Sequence, residues 1–288
     1  MKPIMRYHGA KWKLAPWIIS HFPDHHTYVE PFGGSAAVLI SKKPALREVY
    51  NDKNDELVNL FKVIRCPTMR LELLRMLAMT PYSRTEFELA KEPSDINRDV
   101  SGNIITGYPA VLEAHKLLIR AQMGFGSAGA TRSKTGFRLD TARGGTSIQA
   151  LWSELPETIL SVTERLSNVI IENSDAYQVI QRHDRSDTLF YLDPPYTLGT
   201  RTNKDSYGDF EMQESEHERL LELMQKSKGM FVISGYDNEL YNDVLIDWTK
   251  SSRQTAISSH NGSGKRIEVL WVSPNCEQGQ LDMFSDLI

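Results

Sequence analysis

Cysteine is nearly absent: Cys66 and Cys276 stand alone in 288 residues, in no metal-ligand spacing, so neither a disulfide framework nor a structural zinc site is expected. Two buried thiols and no metal are the expectation. No run of about 18 apolar residues occurs, which argues against a helical membrane span. The first residues carry Arg6, His8, Lys11 and Lys13 without the apolar core of a signal segment, so a cytoplasmic protein is expected. Positive charge is not in excess either. The 33 Lys and Arg against 37 Asp and Glu leave a net charge of −4, so the chain lacks an overall basic footprint. Internal repeats and low-complexity tracts are also missing. What remains is a globular chain, 40% hydrophobic, able to bury one substantial core and carry a small extra domain.

The distribution of charge is more informative than its sum. From Lys116 to Arg143 the cations are Lys116, Arg120, Arg132, Lys134, Arg138 and Arg143, against the single acid Asp140. Gly124, Gly126, Gly129 and Gly136 fall in the same stretch, which suits close backbone approach to phosphates or, equally, a solvated basic loop.

Apolar runs read as buried strands at Thr27–Glu30, Glu48–Asn51, Val169–Glu172, Thr188–Leu192 and Met230–Ser234. Helical periodicity falls between them, as at His217, Leu220, Leu221 and Met224, with Ser215 available as an N-cap. Gln254–Ser259 and Lys265–Val272 flank Asn261-Gly262-Ser263-Gly264 and predict an antiparallel hairpin. The pattern predicts an α/β fold with a mostly parallel sheet. Strand signals fade between Pro67 and Leu155, which predicts a mainly helical insertion. The expected division is a catalytic domain over 1–66 and 156–275, an insertion over 67–155 and a tail over 276–288.

Three motifs carry chemistry. Tyr28-Val29-Glu30-Pro31-Phe32-Gly33-Gly34-Ser35 leads a strand into a glycine turn and then the helical stretch Ala36–Ser41, where α/β sheets bind cofactors. A glycine pair after a strand is also often only a tight turn. Val49-Tyr50-Asn51-Asp52 ends the next strand in an acid that can accept from both hydroxyls of a ribose, or can cap the helix expected at Glu56–Arg65. Leu189-Phe190-Tyr191-Leu192-Asp193-Pro194-Pro195-Tyr196 is an apolar strand stopped by two prolines, which cannot continue it. Such a turn can hold the Asp193 carboxylate and the Pro194 carbonyl as neighbouring acceptors for the two protons of an exocyclic amine, with Tyr196 stacked on the base.

With these motifs the chain resembles the Dam-like family of DNA adenine methyltransferases, of the phage and prophage type. Arg6-Tyr7-His8-Gly9-Ala10-Lys11-Trp12 is similar to the family's opening motif, and the resemblance implies that Tyr7 and Lys11 contact the methyl donor. It places Glu30, Pro31, Phe32, Gly33, Gly34, Ser35, Asp52 and Asp193 at cofactor positions and Asp175, after Asn173-Ser174, at the pocket for the cofactor's adenine. Asp193, Pro194, Pro195 and Tyr196 match the catalytic tetrapeptide. The implied fold is the Rossmann-like S-adenosylmethionine-dependent one, with the insertion reading DNA. The sequence departs from the family at Ala36, where another glycine is usual.

The implied activity is S-adenosylmethionine-dependent methylation of a flipped adenine in double-stranded DNA, without a covalent enzyme intermediate. No Pro-Cys nucleophile is present for ring-carbon methylation of cytosine. Alternatives are a cytosine-N4 enzyme, which more often has Ser at Asp193, an RNA or protein amide methyltransferase, which usually has Asn there, and a non-catalytic DNA-binding relative. Arg120, Arg132, Lys134 and Arg138 are the expected DNA contacts. Arg201, with Lys204 and Tyr207, lies in a polar stretch over 197–210 that either closes on the target or is solvated. Gln280-Leu281-Asp282-Met283-Phe284 resembles the peptide that docks into the replication sliding clamp; a tail packed on its own domain is the simpler alternative.

Overall fold

The structure is a computed structural model and describes residues 1–92, 98–99, 102–126, 128–131, 135–139, 147–197, 199, 210–259 and 262–277. Within the hairpin the side chains of 255–259 and 262–266 are outside that description, as are those of Ala128 and Thr131. Arg132, Lys134, Arg201 and the segment Gln280–Phe284 lie outside the described residues.

Seven strands form one sheet in the order β3-β2-β1-β4-β5-β7-β6: β1 (Thr27–Glu30), β2 (Arg47–Asn51), β3 (Val169–Glu172), β4 (Thr188–Leu192), β5 (Met230–Gly235), β6 (Thr249–Ser259) and β7 (Gly262–Val272). The first five are parallel, and β7 enters antiparallel beside β5 and pairs with β6. This is a Rossmann-like, mostly parallel sheet closed by the expected antiparallel hairpin. Its direction of winding reverses between β1 and β4, the switch point where α/β sheets place ligands.

Strand alternation sorts the core into two faces. Tyr28, Tyr50, Leu189, Tyr191, Met230 and Val232 point into one apolar cluster, and Val29, Val49, Phe190, Leu192, Phe231 and Ile233 point into the other. The helices are α1 (Ala15–Ile19), α2 (Ala37–Ser41), α3 (Asp55–Arg65), α4 (Pro67–Met79), α5 (Arg84–Lys91), α6 (Tyr108–Met123), α7 (Ile148–Ser153), α8 (Leu155–Leu166), α9 (Ala176–His183), α10 (Glu214–Lys226) and α11 (Glu239–Val244). The first cluster takes residues from α3, α4, α5, α6 and α8, so the helical segment shares its core with one face of the sheet. The second cluster takes α9, α10 and α11.

Three local expectations need correction. Helix α10 is capped by Gln213 rather than Ser215: Gln213 and Glu216 form a reciprocal capping box that satisfies two end N–H groups. Strand β6 begins at Thr249, five residues earlier than its apolar pattern, because an edge strand needs no apolar residue on its solvent side. Of the two thiols, Cys276 is buried and Cys66 is only partly so, at the junction of α3 and α4.

Candidate active site

The carboxyl ends of β1, β2 and β4 meet at one cleft holding about 1010 Å³ of empty space, its open mouth included. Tyr7, Lys11, Glu30, Pro31, Phe32, Gly33, Gly34, Ser35, Asp52, Asp175, Asp193 and Pro195 all line it. Residues separated by up to 188 positions therefore share one cavity. Pro194 is buried and Tyr196 partly buried, and neither is among the residues that line the cleft.

The glycine turn is required by close packing. A Cβ on Gly33 would lie 2.2 Å from the Tyr50 ring and 2.9 Å from the Asn51 carbonyl. Gly34 has φ +49, and a Cβ there would lie 2.9 Å from the Tyr7 ring, so the opening segment rests directly on this turn. Ala36 stands at φ 55, a left-handed conformation in which glycine is easier to place. Alanine here adds a buried methyl group at a left-handed position.

Asp52 is held as an acceptor: its Oδ2 receives the Gly34 N–H at 2.7 Å and its Oδ1 the Asn54 N–H at 2.8 Å. Asn54, one of two residues separating Asp52 from α3, caps that helix through the Glu56 N–H, which frees Asp52 from the capping role. Burial pushes the Asp52 carboxyl up to about 6, against the downward pull of its backbone donors. Burial likewise raises Glu30 to about 8, so this carboxyl is chiefly protonated at neutral pH and receives the Tyr28 hydroxyl at 2.6 Å. Asp175 accepts the Tyr177 N–H at 3.0 Å and caps α9 while lining the cleft.

Sequence reasoning missed Asn51. Wholly buried, it donates to the carbonyls of Pro31 at 2.8 Å and Ser174 at 3.0 Å and receives the Ser174 N–H at 2.8 Å. It thus ties together the ends of β1, β2 and β3. A buried amide at the end of an apolar strand was the available signal.

At Asp193-Pro194-Pro195-Tyr196, Asp193 Oδ1 lies 3.0 Å from Lys11 Nζ and receives the Ser234 hydroxyl at 2.9 Å. Both of these contacts fall on Oδ1. Tyr196 packs edge-on against Tyr236 at 4.6 Å between centroids and donates its hydroxyl to Glu268. Lys11 Nζ is also 3.3 Å from Glu268 and 4.9 Å from the centre of the Tyr196 ring.

The expected DNA contacts separate. Arg120 is only 4% exposed and pairs with Glu56 at 2.9 Å and with the Ala90 carbonyl at 3.1 Å inside the helical layer. Its long side chain neutralises a buried carboxylate on α3, so it does not face DNA. Arg138 is partly exposed, its backbone pinned by Met123 and by the Tyr82 hydroxyl.

Residues 7–258 match the D12 class N6 adenine-specific DNA methyltransferases. The chain belongs to this family. It is an adenine-N6 DNA methyltransferase. A curated relative, Type II methyltransferase M1.LlaDCHI of Lactococcus lactis subsp. cremoris, is 27% identical over 285 residues, which cover 94% of each chain. The solved structure of precorrin 8w decarboxylase of Methanobacterium thermoautotrophicum matches with a TM-score of 0.35 and 9% identity over 91% of this chain and 89% of that one. A likeness that slight carries no argument. Being an adenine-N6 methyltransferase, the protein needs a methyl donor and DNA as substrate. No helix among the described residues is long and apolar enough to cross a membrane.

Proposed function

We propose that this adenine-N6 DNA methyltransferase uses S-adenosylmethionine and performs transfer at Asp193-Pro194-Pro195-Tyr196. The observation that carries the proposal is the convergence of Asp193 with the glycine turn and Asp52 on one cleft. A turn without room for a Cβ, a ribose acceptor with both oxygens fixed, and a capping acid at Asp175 fit an adenosyl group. Tyr7 and Lys11 line the same cleft near the reacting end. The donor supplies an electrophilic methyl group.

The protein's part is positioning and charge. An adenine amine is a poor nucleophile because its lone pair is delocalised into the ring. Asp193 Oδ2 and the Pro194 carbonyl accept hydrogen bonds from its two N–H groups, favour a more tetrahedral nitrogen and direct the lone pair toward the methyl group; one of these protons leaves once the N–C bond has formed. Lys11 and Ser234 hold the other Asp193 oxygen, so the acceptor is already oriented before the base arrives. The Tyr196 ring offers the flipped base a stacking surface, which offsets part of the few kcal/mol that unstacking costs.

The helical insertion over 67–155 is assigned to DNA reading, with Arg138 at its described surface. Burial and the nearby Arg138 charge both lower the Arg6 pKa, a repulsion that an anionic DNA group would relieve. Arg132, Lys134 and Arg201 join this assignment from sequence alone. The designation of the Lactococcus relative as a Type II methyltransferase supports methylation at a defined site. The sliding-clamp assignment of Gln280–Phe284 also rests on sequence, and loss of clamp capture after Phe284→Ala is its test.

Purified protein incubated with methyl-labelled S-adenosylmethionine and mixed-sequence duplex DNA, then digested to nucleosides, tests the chemistry. Label is expected in N6-methyladenine. Label in N4-methylcytosine, or none in DNA, would refute the proposal.

A further inference from the structure

We propose that Glu268, on β7, is a positioning residue for the transfer step: it holds the Tyr196 ring in its stacking pose and shares Lys11 with Asp193. This inference rests on the assignment of catalysis to Asp193–Tyr196. Glu268 is 4% exposed and lies in a strand position between Ile267 and Val269, where an acid has no packing reason to be. Its Oε1 receives the Tyr196 hydroxyl and lies 3.3 Å from Lys11 Nζ, whose own exposure is 7%. Lys11 is in turn 3.0 Å from Asp193. A buried ammonium thus lies between two carboxylates, and the one on β7 also anchors the aromatic of the catalytic tetrapeptide.

Two consequences follow from this geometry. The Tyr196 ring is fixed at its hydroxyl end by Glu268 and along its side by Tyr236, so the ring plane is set before a base enters. Lys11 divides its charge between Asp193 and Glu268. Lys11 Nζ also donates to the Gly9 carbonyl at 3.0 Å; with Glu268 removed, Asp193 is the carboxylate left to the ammonium, which draws density from it and weakens the acceptor that the amine needs. Glu268 itself does not touch the base. The antiparallel turn of β7 beside β5 places it there, since Val269 pairs with Gly235 and Glu268 falls just past the end of β5.

The test uses Glu268→Ala, Glu268→Gln, Tyr196→Phe and the Tyr196→Phe, Glu268→Ala double variant in the intact protein. The ζ-13C tyrosine resonance missing from Tyr196→Phe identifies Tyr196, and its position at neutral pH reports donation to a carboxylate. That signal is expected to move in both Glu268 variants. Single-turnover methylation is expected to slow about tenfold or more in Glu268→Ala, with KM for the methyl donor changed less than about threefold. Glu268→Gln, which keeps an acceptor for the hydroxyl, recovers part of the rate. The double variant is expected within about twofold of the slower single variant, because the two groups act as a unit. An unmoved Tyr196 resonance, a wild-type rate in Glu268→Ala, or single effects that multiply in the double variant would overturn the proposal. Absence of adenine methylation by the wild-type protein would instead refute the catalytic assignment, and the resonance would still decide the Glu268–Tyr196 contact.

Discussion

Asp52 is a carboxyl raised to about 6 at the place proposed for a ribose, and this makes cofactor affinity pH-dependent. The ionised form accepts two hydroxyl hydrogen bonds, and the protonated form gives up part of that capacity. Affinity for S-adenosylmethionine, measured calorimetrically, is therefore expected to fall as pH drops from 7 to 5 and to depend much less on pH in Asp52→Ala. That variant should also bind about tenfold or more weakly at pH 7, the scale of losing hydrogen bonds to a charged group. A pH-independent affinity in the wild type would remove Asp52 from the ribose site. Twelve of the 28 residues lining this cleft were legible in the sequence because they fall in short motifs, most of them at strand ends. Asn51 and Glu268 were not. Their partners lie 123 and 257 residues away in the chain at the farthest, and no local spacing encodes such pairings.

Helices α3 and α6 are joined by an ion pair that the sequence could not separate from a surface charge. Arg120 is one basic residue within a basic stretch, and only the fold shows that it neutralises Glu56. Arg120→Ala takes the guanidinium away from the buried Glu56 carboxylate, so a loss of about 3–5 kcal/mol is expected in denaturant unfolding. Substitution of an exposed DNA-contacting arginine would leave stability nearly unchanged, and that result would contradict the placement. On the same helix, burial lowers the His115 pKa to about 4, with Thr80 Oγ1 2.9 Å from its Nε2. Its folded-state pKa is depressed, so its contribution to stability is complete above the unfolded value near 6.5 and is lost as pH falls toward 4. His115→Gln should flatten this part of the stability profile, measured by thermal melts. The strands of the parallel sheet were legible to within one residue; for the central β1, β4 and β5, burial on both faces demands continuous apolar runs, and edge strand β3 keeps an apolar run although only Val169 is buried. The polar start of β6 was hidden for the complementary reason.

For the whole molecule, a net charge of −4 and a DNA substrate are compatible because charge is unevenly spread along the chain: the cleft gathers Asp52, Asp175 and Asp193, while the stretch from Lys116 to Arg143 carries six cations against the single acid Asp140. Arg138→Ala is expected to weaken DNA binding and lower its salt dependence while S-adenosylmethionine affinity stays unchanged. Unaltered DNA affinity would take Arg138 out of the interface. The most direct test of the central claim is single-base-resolution sequencing of modified adenines in DNA from cells expressing the wild type or Asp193→Ala. N6-methyladenine in one short sequence context, present with the wild type and lost in the variant, is the predicted result. Equal modification in both, or none from a folded and expressed wild-type protein, would contradict the account.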